Sequence, residues 1–140
     1  MALNAIHIPF RTNRFNLSQV SEDFINPCCF GEDIALWFRA KLGEQHYDVS
    51  SPWQEDWGWQ LSAKREPNRY RLSFSGNSKG DSQDPNDGQW RIIVEKRRSI
   101  ADRIHGRGKI GVNDAFVQTI ENMLKSEPQI RDVRNETPRY

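Results

Sequence analysis

The stretch Trp57-Gly-Trp-Gln-Leu-Ser-Ala-Lys-Arg-Glu-Pro-Asn-Arg-Tyr-Arg-Leu-Ser-Phe-Ser75 decides the fold. Trp57, Trp59, Leu61 and Ala63 alternate with Gly58, Gln60, Ser62 and Lys64. Beyond the turn signal Glu66-Pro67-Asn68, Tyr70, Leu72 and Phe74 alternate with Arg69, Arg71, Ser73 and Ser75. Successive side chains of a strand point to opposite faces, so this period of two predicts a hairpin with an aromatic inner face and a cationic outer one. A polar stretch, residues 76–88, leads to a third strand in which Trp90, Ile92 and Val94 face one way and Arg91, Ile93 and Glu95 the other.

Outward from this meander the period changes to helical. Gly31-Glu-Asp33 opens a helix with carboxylates at its positive end, and Ile34, Phe38 and Leu42 fall on one face with Ala35 and Trp37 beside them. Ser99-Ile-Ala-Asp102 carries a looser capping-box signature for a short helix that the glycines at 106, 108 and 111 end. Asn113 is expected to cap a last helix whose stripe is Phe116, Val117, Ile120, Met123 and Leu124, with Pro128 as its stop and a final strand over 130–133. Residues 1–30 are set apart as an N-terminal extension. Ile6, Ile8 and Phe10 alternate there only until Pro9 interrupts, so an edge strand and an irregular wrap are expected. The domain is placed at 31–135 and a polar tail at 136–140. The fold class is α+β, a two-layer sandwich of a three-stranded antiparallel meander plus a C-terminal strand, with two main helices on one face.

Composition limits the function. Mean hydropathy is −0.84, yet five Trp, seven Phe and three Tyr supply large rings, which periodicity assigns mainly to the core. The formal net charge is only +1, but residues 91–109 hold seven cationic and two acidic side chains, so any electrostatic function is local. The only cysteines, Cys28 and Cys29, are adjacent and poorly placed for ordinary disulfide geometry, and no leader or membrane-spanning run is read, which suits a cytoplasmic protein.

Candidate chemistry is sparse. His7, His46 and His105 lack ligand spacing, and neither His-Glu-x-x-His nor paired Cys-x-x-Cys occurs, so no metal or cofactor is expected. Asp81, Asp84, Asn86 and Asp87 crowd one loop without the glycine register of an EF-hand. No phosphate-cradling glycine loop and no nucleophile elbow is present. Trp53, Glu55 and Asp56, with His46 nearest in sequence, form a candidate ligand-binding or enzymatic cleft, although adjacent acids on an extended segment point apart.

Gly31-Glu-Asp-Ile-Ala35, Glu55-Asp-Trp-Gly-Trp59 and Lys96-Arg-Arg-Ser99 together resemble a group of small uncharacterised bacterial proteins across about residues 31–135. The resemblance implies a free-standing bacterial domain and carries over no catalytic residue.

The cationic face is therefore the main functional expectation. Lys64, Arg69, Arg71, Arg91, Arg97 and Arg98 are expected to bind an acidic protein partner, in a non-enzymatic domain of inhibitor, immunity or adaptor type. Nucleic-acid binding through residues 91–109 is the alternative. Readers of single strands put rings on the open sheet face, whereas here the rings alternate onto the other one.

Overall fold

The computed structural model describes residues 5–19, 24, 29–78 and 83–136. Its elements are β1 (Ala5–Thr12), α1 (Glu32–Glu44), β2 (Asp48–Val49), β3 (Trp53–Glu55), β4 (Gly58–Arg65), β5 (Asn68–Ser78), β6 (Gly88–Lys96), α2 (Ile100–His105), α3 (Ala115–Lys125) and β7 (Ile130–Arg131). Six strands follow one another in the order β2-β4-β5-β6-β1-β7, and β3 pairs with β4 as well. The sheet is curled into a half-barrel.

This corrects the expected two-layer sandwich. The meander β4-β5-β6 exists, but it is the middle of a larger antiparallel sheet. The segment set apart as an extension supplies β1, which pairs with β6 along its whole length, from Ala5 opposite Glu95 to Thr12 opposite Gly88. Pro9 does not make β1 an edge. The main-chain N–H and C=O groups of His7 bond to Glu136 on the side away from β6, and the alternation of a strand aims the nitrogen of Pro9 the same way. The missing donor therefore leaves the β6 ladder intact. The carbonyl of Pro9 accepts from the Arg134 N–H at 3.0 Å.

Register assembles the core in rows. Leu61, Leu72, Val94 and Ile6 lie across β4, β5, β6 and β1; Trp59, Phe74, Ile92 and Ile8 form the next row, and Gly76, Trp90 and Phe10 the next. Apart from Gly76, all of these are buried. Helix α1 adds Ile34, Phe38 and Leu42, and α3 adds Phe116, Ile120 and Leu124 to the same cluster. Gly76 leaves room for a large neighbour, since a Cβ there would stand 2.6 Å from the Trp90 ring.

Polar bonds tie in the outlying segments. Asp33 accepts the Asn16 N–H at 2.7 Å, which fixes the chain after β1 against the start of α1. Burial raises the pKa of this carboxyl, while the Asn16 and Ile34 N–H groups oppose the rise. Asn86 accepts from the Leu17 N–H and the Ser18 hydroxyl, Asp84 from Asn13, and Asp87 from Arg131 at 3.0 Å. The loop carboxylates and amide that suggested a cation site are thus engaged in holding the ends of the sheet. Asp81 lies outside the described residues. The expectation for the adjacent cysteines falls on Cys28 as well as Cys29, and Cys28 also lies outside the described residues.

Asp56 and Trp57 form the two-residue turn of the β3-β4 hairpin, in which Glu55 faces Gly58. A Cβ on Gly58 would stand 2.1 Å from the Phe74 carbonyl oxygen, whereas one on Gly43 would meet nothing within 4 Å. Gly58→Ala should therefore cost at least about 1–3 kcal/mol through a forced backbone shift. Gly43→Ala, inside α1, should stabilise by roughly 0.5–1 kcal/mol. Paired urea denaturation curves check both signs.

Candidate functional site: a basic trough on the outer sheet face

Alternation places the polar partners of the core rows on the opposite face. Lys64 faces Arg69, while Ser62, Arg71 and Glu95 form one row. Gln60, Ser73, Ile93 and His7 form the next, and Ser75, Arg91 and Pro9 the one after. Arg71 and Arg91 thus belong to different ends of the face. Four residue steps along β5 separate Arg71 from Ser75, the partner of Arg91, which is about 13 Å of strand. Between the ends, Gln60 and Ser73 are buried and bonded to each other at 3.0 Å.

At one end lies a cavity of about 660 Å³ lined by Lys64, Arg69, Arg71, Lys96, Arg97 and Arg103, with Tyr70, Ala63, Ser50 and Ser62. Only two carboxylates, Asp48 and Glu95, line it. Four of the six expected partner-binding residues, Lys64, Arg69, Arg71 and Arg97, converge here. Arg98 borders an adjoining cavity of about 570 Å³ that shares Arg69, Arg97 and Arg103 with the first. Its guanidinium is spent on the chain itself, donating to the Arg107 carbonyl at 2.8 Å and the Asp102 carbonyl at 3.1 Å. Arg91 lies away from the trough, in a third cavity with Arg11 and Arg134.

Pairing in the trough is partial. Lys64 reaches Asp48 at 3.6 Å, Arg69 reaches Glu66 at 3.1 Å and Arg71 reaches Glu95 at 3.0 Å, all with well-exposed side chains. Such pairs contribute about 0–1 kcal/mol each and exchange readily for another carboxylate. Arg97 and Arg103 form no ion pair with any described residue.

Beneath the trough is a cluster that sequence reasoning missed. The Tyr70 hydroxyl donates to Asp114 at 3.1 and 3.2 Å, and Lys96 Nζ donates to the same carboxylate at 3.3 Å. Asp114, not Asn113, caps α3 by accepting the Phe116 N–H at 2.8 Å. The Tyr70 ring stacks on Phe116 with centroids 4.2 Å apart. Burial, then the charge and hydrogen bond of Asp114, push the Tyr70 hydroxyl far above the usual phenol range, so it remains a donor and not a base. The available signal was the aspartate immediately before the apolar stripe of α3, since Asp caps as well as Asn.

Of the candidate cleft, the structure brings Trp53 and Glu55 into contact. Trp57, expected inside the sheet, is 46% exposed at the β3-β4 turn. Trp53 and Glu55 share a face of β3, and the indole Nε1 donates to the Glu55 carboxylate at 2.9 Å, so this acid is held by its own neighbour. Asp56 sits in the turn, and His46 follows α1 in a left-handed conformation with φ of 69°. None of these residues lines the three cavities described above.

His7 is the titratable group on this face with a shifted pKa. Burial lowers it first and the Arg91 guanidinium second, against the opposing charges of Glu136 and Glu95. Arg91 Nη1 stands 3.1 Å from His7 Nδ1. A guanidinium can only donate, so that nitrogen is the bare acceptor of a neutral ring.

Two outcomes follow from these contacts. Asp114→Ala removes the cap, the Tyr70 acceptor and the Lys96 counter-charge, and should cost about 2–4 kcal/mol in chemical denaturation, with Asp114→Asn costing less than half of that. Because the folded pKa of His7 lies below the unfolded value, the unfolded chain binds the proton first. Stability should therefore fall as pH drops below about 6.5 and level off once the folded state is protonated too. Denaturation midpoints at several pH values should show a smaller loss for His7→Gln than for the parent.

No protein-family model matches the chain, and no match is found among curated proteins or solved structures.

Proposed function

We propose that this protein is a non-enzymatic binding domain, of inhibitor, immunity or adaptor type, that receives an acidic segment of a protein partner in the trough of Lys64, Arg69, Arg71, Arg97 and Arg103. One observation carries the reading: Lys64, Arg69, Arg71, Arg97 and Arg103 face two carboxylates around a single cavity, besides Lys96, whose charge Asp114 answers. Two of these five, Arg97 and Arg103, form no ion pair with any described residue. A ligand carboxylate arriving there gains charge-assisted, fork-shaped hydrogen bonds from guanidinium groups without first separating an internal pair. Clustered charge of one sign also raises the rate of encounter with an oppositely charged partner.

Nucleic acid is the weaker reading of the same charge. The side chains around the trough offer one ring, Tyr70, and that ring is stacked against Phe116 inside the fold. Base-stacking platforms require rings that a base can reach.

Fluorescence anisotropy of a labelled hexaglutamate peptide tests the proposal. The parent should bind it, and Arg97→Glu and Arg103→Glu should each weaken binding about tenfold, equivalent to about 1.4 kcal/mol. Arg91→Glu, at the far end of the face, should leave it within about twofold. Equal loss from Arg91→Glu, or binding of a labelled oligothymidylate in preference to the peptide, would overturn the assignment.

A further inference from the structure

Resting on that reading, we infer that the partner's acidic segment also carries bulky apolar side chains, which dock on Ile100 and Ile104 of α2. The two isoleucines are four residues apart and therefore lie one turn apart on the same side of the helix. They are 76% and 74% exposed, and no residue of α2 is buried. A six-residue helix is too short to persist by propensity alone. Here it is held at its ends by polar bonds: Asp102 N–H donates to the Ser99 hydroxyl at 3.0 Å, Ser99 N–H donates back to Asp102, and Gly106 closes the helix in the left-handed conformation. Arg98 adds two bonds, one to the Asp102 carbonyl within the helix and one to the Arg107 carbonyl just beyond it. The fold thus builds and fastens a helix whose apolar side covers none of its own core.

The surroundings select the occupant. Asp102 is the only acid from residue 97 to 109, among Arg97, Arg98, Arg103, Arg107 and Lys109, and its carboxylate is bonded to Ser99 and faces Arg107 at 3.9 Å. Those Ser99 bonds hold its pKa below the usual carboxylate value, so it stays charged and engaged. Ile100 and Arg103 line the cavity of about 570 Å³ that shares Arg69, Arg97 and Arg103 with the trough. A segment seated on Ile100 would continue directly into the cationic cavity. That arrangement fits a chain that alternates aliphatic and acidic side chains. A bilayer surface is flat and cannot fill the concave part, and two isoleucines on six residues offer little depth of insertion. Aliphatic side chains give a nucleic-acid base no stacking face.

The test compares two labelled peptides of equal charge, each with six glutamates, interrupted either by two leucines or by two serines. The leucine peptide should bind the parent about tenfold more tightly than the serine peptide. Ile100→Ser with Ile104→Ser should remove that advantage while leaving the affinity for the serine peptide and the melting temperature unchanged, because both sites are exposed. Equal affinities of the parent for the two peptides, with binding still lost in Arg97→Glu, would overturn the apolar anchor and leave the proposed function standing. Failure of both peptides to bind would overturn both. Sedimentation of the parent, but not of the double serine variant, with phosphatidylserine-containing vesicles would replace the protein segment with a lipid surface.

Discussion

Everything in this molecule depends on the register that joins β4, β5, β6 and β1. Because Leu61, Leu72, Val94 and Ile6 share one row, and Trp59, Phe74, Ile92 and Ile8 the next, four strands present one continuous apolar surface for α1 and α3 to cover. A slip of one residue in any strand would turn that strand's entire apolar set outward and bring its polar alternates, such as Gln60 and Ser62 of β4 or Arg69 and Arg71 of β5, into the core. The same parity that buries the rings sends Lys64, Arg69, Arg71 and Arg91 to the other face, while Lys96 falls on the inward side. The basic trough is the complement of the core, written in the alternate positions of the same strands.

Complementarity also explains why the outer face is not uniformly basic. Its middle row, Gln60, Ser73, Ile93 and His7, carries no acid and no arginine, and within it buried Gln60 donates a side-chain N–H to the hydroxyl of buried Ser73. Charge is therefore divided between two ends. At the Arg91 end, Glu136 meets the guanidinium at 3.1 Å and His7 accepts from it. At the Arg69 end, the nearby acids are fewer than the cations. Pairing, not residue count, distinguishes the two ends.

The meander was legible because its alternation runs unbroken through Ala63 and again through Phe74, and α1 and α3 because their apolar stripes keep the helical period. What failed has identifiable physical causes. Pro9 looks like a strand breaker until one knows that its nitrogen faces away from β6, a fact of pairing that no local pattern holds. Strands β2 and β3 are two and three residues long, too short to show a period, and they exist because they cover the outer edge of β4. Trp57 obeys the alternation of β4 yet belongs to the turn before it, so extending the period by one step assigned an exposed ring to the core. Of the site, the cationic face was readable from parity alone. Its division into two ends, the internal engagement of Arg98 and the recruitment of Arg103 from α2 required the fold.

Lys96 shows how the trough acquires a floor. By register it pairs with Tyr70, on the inward side of the sheet, where an unpaired ammonium would be costly. Asp114 resolves that cost, with side-chain exposures of 19% for the lysine and 10% for the aspartate. The same carboxylate caps α3 and accepts the Tyr70 hydroxyl, so one acid fixes the helix, the strand end and the ring together. The pair is neutral as a unit and sits where sheet and helix α3 meet. It therefore closes the apolar core without cancelling the charge of Arg97 and Arg103 above it. Because Lys96 and Asp114 satisfy each other, neither engages Arg97 or Arg103, which form no ion pair with any described residue.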